Sequence, residues 1–159
     1  MHFQEAPEGR GRFIELCRKA GLKITPQRCS VYEHFVRLKT HPTAEDIYRA
    51  VRKEHPNISY DTVHRTLLTF AEIGLAEIVH TKGGARRFDP VLDGHHHFQC
   101  VACGDITDFS SKACDDLKIP EGIRRRHTVF TKKVVLSGLC RECRESKGSA
   151  GKSDKYSQY

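Results

Sequence analysis

The sequence lacks any apolar run approaching the roughly 18 residues that a membrane-spanning helix requires. Residues 1–12 mix acidic and basic side chains and have no apolar centre, so we do not expect a secretion signal there. We therefore predict a cytoplasmic protein with no membrane partner. At 159 residues, the chain has the length of one folded unit or two small ones.

A complete disulfide framework and a deaminase are also disfavoured. The seven cysteines are odd in number, and a cytoplasmic chain keeps its thiols reduced. The chain has neither a His-x-Glu nor a Pro-Cys-x-x-Cys motif, and a zinc deaminase needs both. Clustered cysteine and histidine in such a chain point to metal binding or to thiol redox chemistry.

Positive charge is in excess, with a formal net charge of +7 at pH 7. This excess favours a polyanionic partner such as nucleic acid. Both halves of the chain are basic, so the charge alone does not locate a binding surface.

The first part of the chain reads as helices followed by a hairpin. Thr25, Thr43 and Ser59 each stand at the N-cap position before an apolar helical stripe, and Pro26 fits the first helical position. Extended segments at 75–81 and 85–89 flank a Lys-Gly-Gly tip, which predicts a hairpin. Helices followed by such a hairpin predict a winged helix-turn-helix domain.

The helix that Ser59 begins is the predicted recognition helix, which would enter the major groove of DNA. Its apolar stripe at Val63, Leu67 and Phe70 leaves the opposite face for contacts with DNA. We predict that this face contacts DNA through Tyr60, His64 and Arg65. Core packing of Tyr60 is the alternative.

The second part of the chain changes to a small α/β pattern. Strands are predicted at 95–101, 106–109 and 129–137, with a helical stretch at 110–119. The predicted class is therefore α+β. The predicted domains are a winged-helix domain at 1–89, a hinge at 90–94, a dimerisation and metal-binding domain at 95–146, and a disordered tail at 147–159.

Two Cys-x-x-Cys pairs are the strongest chemical signal in the chain. Two residues between thiolates let one turn aim both sulfurs at a single ion, and two such turns complete a tetrahedral zinc shell. We predict a structural zinc site at Cys100, Cys103, Cys140 and Cys143. A redox-active dithiol is the alternative, but it would need only one pair. A shell closed by four thiolates does not catalyse, so we predict no enzyme activity.

Three consecutive histidines precede the first cysteine pair. On a strand, His95 and His97 point to one face and His96 to the other. His95 and His97 could therefore bind one metal ion together. Asp89 and Asp108 are candidate oxygen ligands, although spacing alone does not bring them to the histidines. An exposed polar strand is the alternative reading.

Several ordered motifs, spanning about residues 10–145, resemble the ferric uptake regulator (Fur) family of metal-dependent repressors, and most closely its peroxide-sensing branch. The matching motifs are Ile24-Thr25-Pro26-Gln27-Arg28, His41-Pro42-Thr43-Ala44-Glu45-Asp46-Ile47-Tyr48, the helix at 59–75, Arg87-Phe88-Asp89, Gly94-His95-His96-His97-Phe98-Gln99-Cys100 and both cysteine pairs. Asp61 and His64 depart from the pattern of the family in the recognition helix.

The resemblance implies a homodimeric repressor that binds double-stranded operator DNA. It also implies a regulatory Fe2+ or Mn2+ site, in addition to the structural Zn2+, made by His41, Asp89, His95, His97 and Asp108. Iron-sensing members usually carry Glu where this chain has Asp108. In the peroxide-sensing branch, iron-catalysed oxidation of His41 or His95 by hydrogen peroxide would release the protein from its operator. An iron- or zinc-sensing repressor is the alternative within the family, and a zinc or thiol-redox enzyme is a distant one.

Overall fold

The computed structural model describes residues 7–38, 40–79, 85–90 and 94–148. The chain divides into two compact units, Met1–Leu92 and Asp93–Tyr159, here called the N-terminal and C-terminal units. No helix in the described ranges is long and apolar enough to cross a membrane. The predicted hairpin tip and residues 149–159 of the predicted tail lie outside these ranges, and the predicted domain boundaries stay predictions.

Four helices build most of the N-terminal unit: α1 (Pro7–Lys19), α2 (Pro26–Arg37), α3 (Ala44–Val51) and α4 (Tyr60–Glu72). The three predicted N-caps are confirmed. The Thr25 side chain accepts a hydrogen bond from the Arg28 amide at 3.2 Å, and Ser59 accepts one from the Thr62 amide at 3.1 Å. Thr43 forms a full capping box with Asp46.

An aromatic cluster fills the core of the N-terminal unit. The Phe13 ring stacks on Tyr32 with centroids 4.5 Å apart, and Phe70 meets both rings edge to face. Aromatic pairs in these arrangements add to the free energy gained from burial. The core fixes the outer face of α4, because Val63, Leu67 and Phe70 are fully buried.

A two-stranded hairpin completes the winged helix. Strands β1 (Glu77–Val79) and β2 (Arg87–Asp89) pair antiparallel, with Ile78 opposite Phe88. Both strands start two residues later than the sequence predicted. Phe88 is fully buried in the core, so β2 is anchored to the helices.

A three-stranded sheet forms the C-terminal unit. Its central strand is β3 (His96–Cys100), which pairs antiparallel with β4 (Ile106–Phe109) and parallel with β5 (Val135–Gly138). The helices are α5 (Lys112–Asp115), α6 (Glu121–Arg124) and α7 (Arg141–Gly148). The α+β class is confirmed.

Two predicted elements of this unit are shorter than expected. The helix predicted at 110–119 is the single turn α5, and the strand predicted at 129–137 starts only at Val135. The ammonium group of Lys132 donates hydrogen bonds to the carbonyls of Asp115 and Leu117. This contact ties the segment before β5 to the end of α5, and α6 is a further turn that the sequence did not predict.

Very little of the C-terminal unit is buried. Among its described residues, the buried side chains are His95, His96, His97, Cys100 and Ile106. Large apolar side chains are instead exposed, and Phe130 is 90% exposed. A single copy of this unit therefore has almost no apolar core of its own.

Candidate metal centres and DNA-binding surface

The four predicted cysteines lie together at one end of the sheet of the C-terminal unit. Cys100 ends β3, and Cys140 lies between β5 and α7, so the parallel pairing of these strands joins the two pairs. All four sulfurs lie within 4.8 Å of one another. The 3.8 Å between the Cys103 and Cys140 sulfurs matches the edge of about 3.8 Å that a tetrahedron with Zn–S bonds of about 2.3 Å requires.

The cysteines of this cluster differ strongly in pKa. Burial opposes ionisation of Cys100, but backbone amides of Cys103, Cys140 and Ala102 donate to its sulfur and lower its pKa to about 6. Hydrogen bonds with the sulfurs of Cys140 and Cys103 raise the pKa of Cys143 to about 12. Ionisation is therefore favoured at Cys100, while Cys143 holds its proton.

A second group of donors lies across β3 and β4. The Nε2 atoms of His95 and His97 are 2.9 Å apart, and both are close to Oδ1 of Asp108, at 3.6 Å and 3.4 Å. The register of the two strands places His97 directly opposite Asp108. Both histidines are buried, whereas the Asp108 side chain is 35% exposed, so the group is open to solvent on the side of the carboxylate.

His96 points away from this group, as the alternation of side chains along a strand predicts. Its Nδ1 accepts a hydrogen bond from the Val134 amide at 3.3 Å, and its Nε2 lies 3.2 Å from the carboxylate of Asp115. His96 thus joins β3 to the start of β5 and to α5.

The two remaining predicted ligands meet within the N-terminal unit. His41 lies between α2 and α3, and Asp89 ends β2; Nε2 of His41 is 3.7 Å from Oδ2 of Asp89. Both residues are at least 98% buried. An imidazole nitrogen and a carboxylate oxygen are both ligands for divalent first-row metals, so this buried pair suits a site for a cation.

Each unit therefore carries its own set of nitrogen and oxygen donors. His41 and Asp89 belong to the N-terminal unit, and His95, His97 and Asp108 belong to the C-terminal unit. These donors include no thiolate. Imidazole and carboxylate donors together suit Fe2+ and Mn2+ better than the soft, thiolate-binding metals.

The exposed face of α4 carries the three predicted DNA contacts. Tyr60 is 44% exposed, and its ring stacks on His64 and meets Tyr48 edge to face, with both centroid distances 5.9 Å. Arg65 is exposed and forms an ion pair with Asp61 at 2.9 Å. Sequence reasoning missed this pair, although the i,i+4 spacing on a helix signals it.

A winged helix with an exposed recognition face, followed by a unit rich in metal donors, defines a metal-responsive DNA-binding regulator. The model of the ferric uptake regulator family matches residues 19–136. The chain belongs to this family, whose members are DNA-binding, dimeric transcription regulators and not enzymes.

Similar proteins point to the peroxide-responsive regulators. The peroxide operon regulator of Bacillus subtilis (strain 168) is 35% identical over 130 residues, which span 82% of this chain and 90% of that protein. The structure of the Campylobacter jejuni peroxide stress regulator aligns with a TM-score of 0.63 and 29% identity, covering 82% of this chain and 98% of that one.

The overall fold has an even more extensive match in the Helicobacter pylori ferric uptake regulator. That structure aligns with a TM-score of 0.76 over 92% of this chain and 99% of that one. At 23% identity, this likeness establishes the fold alone. The predicted family membership is thus confirmed, and the chain is a metal-responsive repressor of this family.

Proposed function

We propose that the protein represses peroxide-stress genes and leaves its operator when hydrogen peroxide oxidises His41 or His95. The observation that carries this proposal is the thiolate-free donor set around His95, His97 and Asp108. Its aspartate is the residue that the resemblance associates with peroxide sensing. The peroxide operon regulator of B. subtilis, 35% identical, supports the same reading.

The regulatory ion in this proposal is Fe2+ or Mn2+, held by His41, Asp89, His95, His97 and Asp108. Because the ligands come from both units, binding would favour one arrangement of the recognition helix over others by population shift. Operator affinity would rise with that population. Asp89 and Asp108 supply the negative charge that a divalent cation requires.

Bound Fe2+ would supply the one electron that starts cleavage of the O–O bond of hydrogen peroxide. Overall, one peroxide oxygen would replace the hydrogen of an imidazole C–H bond, and the other oxygen would leave as water. His41 and His95 are buried imidazoles, so an oxidant made beside them meets these rings before it meets bulk water. Addition of oxygen to an imidazole lowers its affinity for the metal. Loss of either ligand would then undo the metal-dependent arrangement.

The four cysteines hold a structural Zn2+ in this proposal. The 3.8 Å between the Cys103 and Cys140 sulfurs supports this assignment. The closed thiolate shell has no open position for substrate, so zinc would stabilise the C-terminal unit rather than react.

A second copy of the chain is the proposed partner of the C-terminal unit. Its exposed apolar side chains need a cover, and a two-fold pair also lets two recognition helices read a palindromic operator in the cytoplasm. The exposed apolar residues of this unit are Leu117, Ile119, Ile123, Val129, Phe130, Val135 and Leu136.

The response to peroxide separates this proposal from the other sensors of the family. Iron-loaded protein treated anaerobically with equimolar hydrogen peroxide is expected to lose operator affinity by about tenfold or more, which is about 1.4 kcal/mol. Manganese-loaded protein is expected to keep its affinity, because Mn2+ does not supply the same electron. Fluorescence anisotropy with labelled operator DNA measures both.

Three results would replace the proposal with another reading. Unchanged affinity of the iron-loaded protein after peroxide would indicate an iron sensor. Tightest operator binding with zinc beyond the structural equivalent would indicate a zinc sensor. Turnover of a dithiol substrate would indicate a redox enzyme.

Arg65 is expected to contribute directly to operator binding. Replacing it with alanine should weaken binding by about 1 to 3 kcal/mol, the usual value of an arginine contact with a base. Asp61→Asn should strengthen binding, since it removes an anion that pairs with Arg65 and repels phosphate.

Arg141→Ala is the matched control for the Arg65 variant. Arg141 forms the same kind of i,i+4 ion pair, with Glu145 at 2.8 Å, but on α7 of the other unit. Equal losses of operator affinity for the two variants would show that general charge, rather than the face of α4, determines binding.

A further inference from the structure

His41 has an unusual backbone conformation. Its φ of 51° lies in the left-handed region, and among the residues that the structure describes it is the one non-glycine residue with positive φ. It also precedes Pro42, and a proline pushes the residue before it toward extended conformations. A side chain held in such a conformation must be retained by its surroundings, and such positions cluster at functional sites.

Contacts from β2 retain the turn at His41. Nη1 of Arg87 donates a hydrogen bond to the His41 carbonyl at 3.1 Å, and this bond is partly buried. The amide of Phe88 donates to the Pro42 carbonyl at 3.0 Å, and Thr43 forms a β-bridge with Arg87. The turn is thus attached to the hairpin at three consecutive residues.

The side chains of β2 alternate between the two faces of the strand. Phe88 points into the apolar core and is fully buried, which fixes the strand. Arg87 and Asp89, two residues apart, share the opposite face. One reaches the backbone of His41, and the other approaches the imidazole of His41 at 3.7 Å.

A negatively charged group lies near the guanidinium group of Arg87. Asp46 lies near it, and the pKa of Asp46 is lowered by its hydrogen bond with the Thr43 hydroxyl and further by the positive charge of Arg87. A planar guanidinium can face a carboxylate and a carbonyl at fixed angles, whereas an ammonium group is a point charge on a flexible stem. The position therefore favours arginine over lysine.

We propose that Arg87 is a positioning residue of the regulatory metal site, which holds His41 in the left-handed conformation that aims its imidazole at Asp89. This inference rests on the proposed function, because it assigns His41 and Asp89 to that site. Arg87 touches no ligand side chain in this account; it acts through the backbone carbonyl of His41.

The test compares Arg87→Gln and Arg87→Lys with Arg86→Gln in the full-length, zinc-loaded protein. Arg86 is the adjacent, exposed cation and controls for the loss of one positive charge near the hairpin. Mn2+ affinity is read by electron paramagnetic resonance. We expect Arg87→Gln to weaken binding about 10- to 100-fold, the range for partners that orient a metal ligand. Arg87→Lys should lose less, and Arg86→Gln should bind like the wild type.

A second readout needs no regulatory metal. NMR spectra are recorded on the zinc-loaded protein without the regulatory metal. A positive φ gives His41 a short distance between its amide proton and its Hα, and thus a strong intraresidue NOE. This NOE should be strong in the wild type and in Arg86→Gln and should weaken in Arg87→Gln. Thermal melting and zinc content report whether each variant folds, and the lysine variant decides the question if the glutamine variant does not fold.

The outcomes distinguish the two proposals. Wild-type NOE and Mn2+ affinity in Arg87→Gln would overturn the role of Arg87, and so would equal losses in Arg86→Gln. A wild-type protein that binds no Mn2+ beyond the zinc site would instead overturn the proposed function. The NOE comparison would still decide whether Arg87 holds His41.

Discussion

His97→Ala is expected to abolish the dependence of operator binding on the regulatory metal. His97 occupies the central strand of its sheet, and its Nε2 lies 2.9 Å from that of His95 and 3.4 Å from the Asp108 carboxylate. Removing a ligand should cost more than the 10- to 100-fold that is lost with an outer partner, so we expect Mn2+ affinity to fall more than about 100-fold. Operator titrations at rising Mn2+ should then stay flat.

Asp116→Ala is the matched control for this variant. Asp116 is an exposed carboxylate on the same unit, next to α5, and it is not among the proposed ligands. It should keep the Mn2+ dependence of the wild type. If His97→Ala also kept that dependence, the donor set around β3 would not be the regulatory site.

Cys140→Ser is expected to unfold the C-terminal unit and to dissociate the dimer. The unit buries few side chains in a single copy, so it has little apolar free energy with which to offset chain entropy. Structural zinc sites contribute binding free energies on the order of 10 kcal/mol to folding. Loss of one thiolate therefore removes a contribution comparable to the stability of a whole domain.

Zinc content, far-ultraviolet circular dichroism and sedimentation together measure this effect. Cys114→Ser is the control, since Cys114 lies on α5 of the same unit and outside the cysteine cluster. It should retain one zinc per chain and the dimer. A Cys140→Ser protein that lost zinc but kept its fold and its dimer would contradict a structural role and would favour the redox reading.

Local chemistry made much of the N-terminal unit predictable. Thr43 and Asp46 form a capping box because both groups lie within four residues of each other, and no distant contact is needed. Ser59 and the apolar stripe of α4 are local in the same way. The outer face of that helix followed directly from these two signals.

Long-range contacts explain what the sequence did not predict. The late start of β5 follows the attachment of Lys132 to the end of α5, and 15 residues separate Lys132 from Leu117. The conformation of His41 depends on Arg87, 46 residues away. Hydrophobic periodicity and secondary-structure propensity report on one or two turns of chain, so they do not predict such contacts.

The candidate sites also differ in whether local sequence or long-range contacts determine them. Spacing alone predicted that the two cysteine pairs would share an ion, and alternation on a strand predicted that His95 and His97 would share a face. Asp108 needed the register of β3 against β4, which only the fold supplies. Asp89 was a candidate oxygen ligand from the sequence, but its meeting with His41 needed the packing of a loop against a hairpin. Only the family resemblance indicated His41 beforehand.

Peptide mass spectrometry after a limiting dose of hydrogen peroxide shows directly whether His41 or His95 is oxidised. The zinc-loaded protein is given Fe2+ or Mn2+ anaerobically, exposed to peroxide, digested, and searched for added oxygen. We expect one added oxygen on the peptide of His41 or of His95 with Fe2+ and none with Mn2+. Intact histidines in the iron-loaded sample, or equal oxidation with both metals, would contradict it.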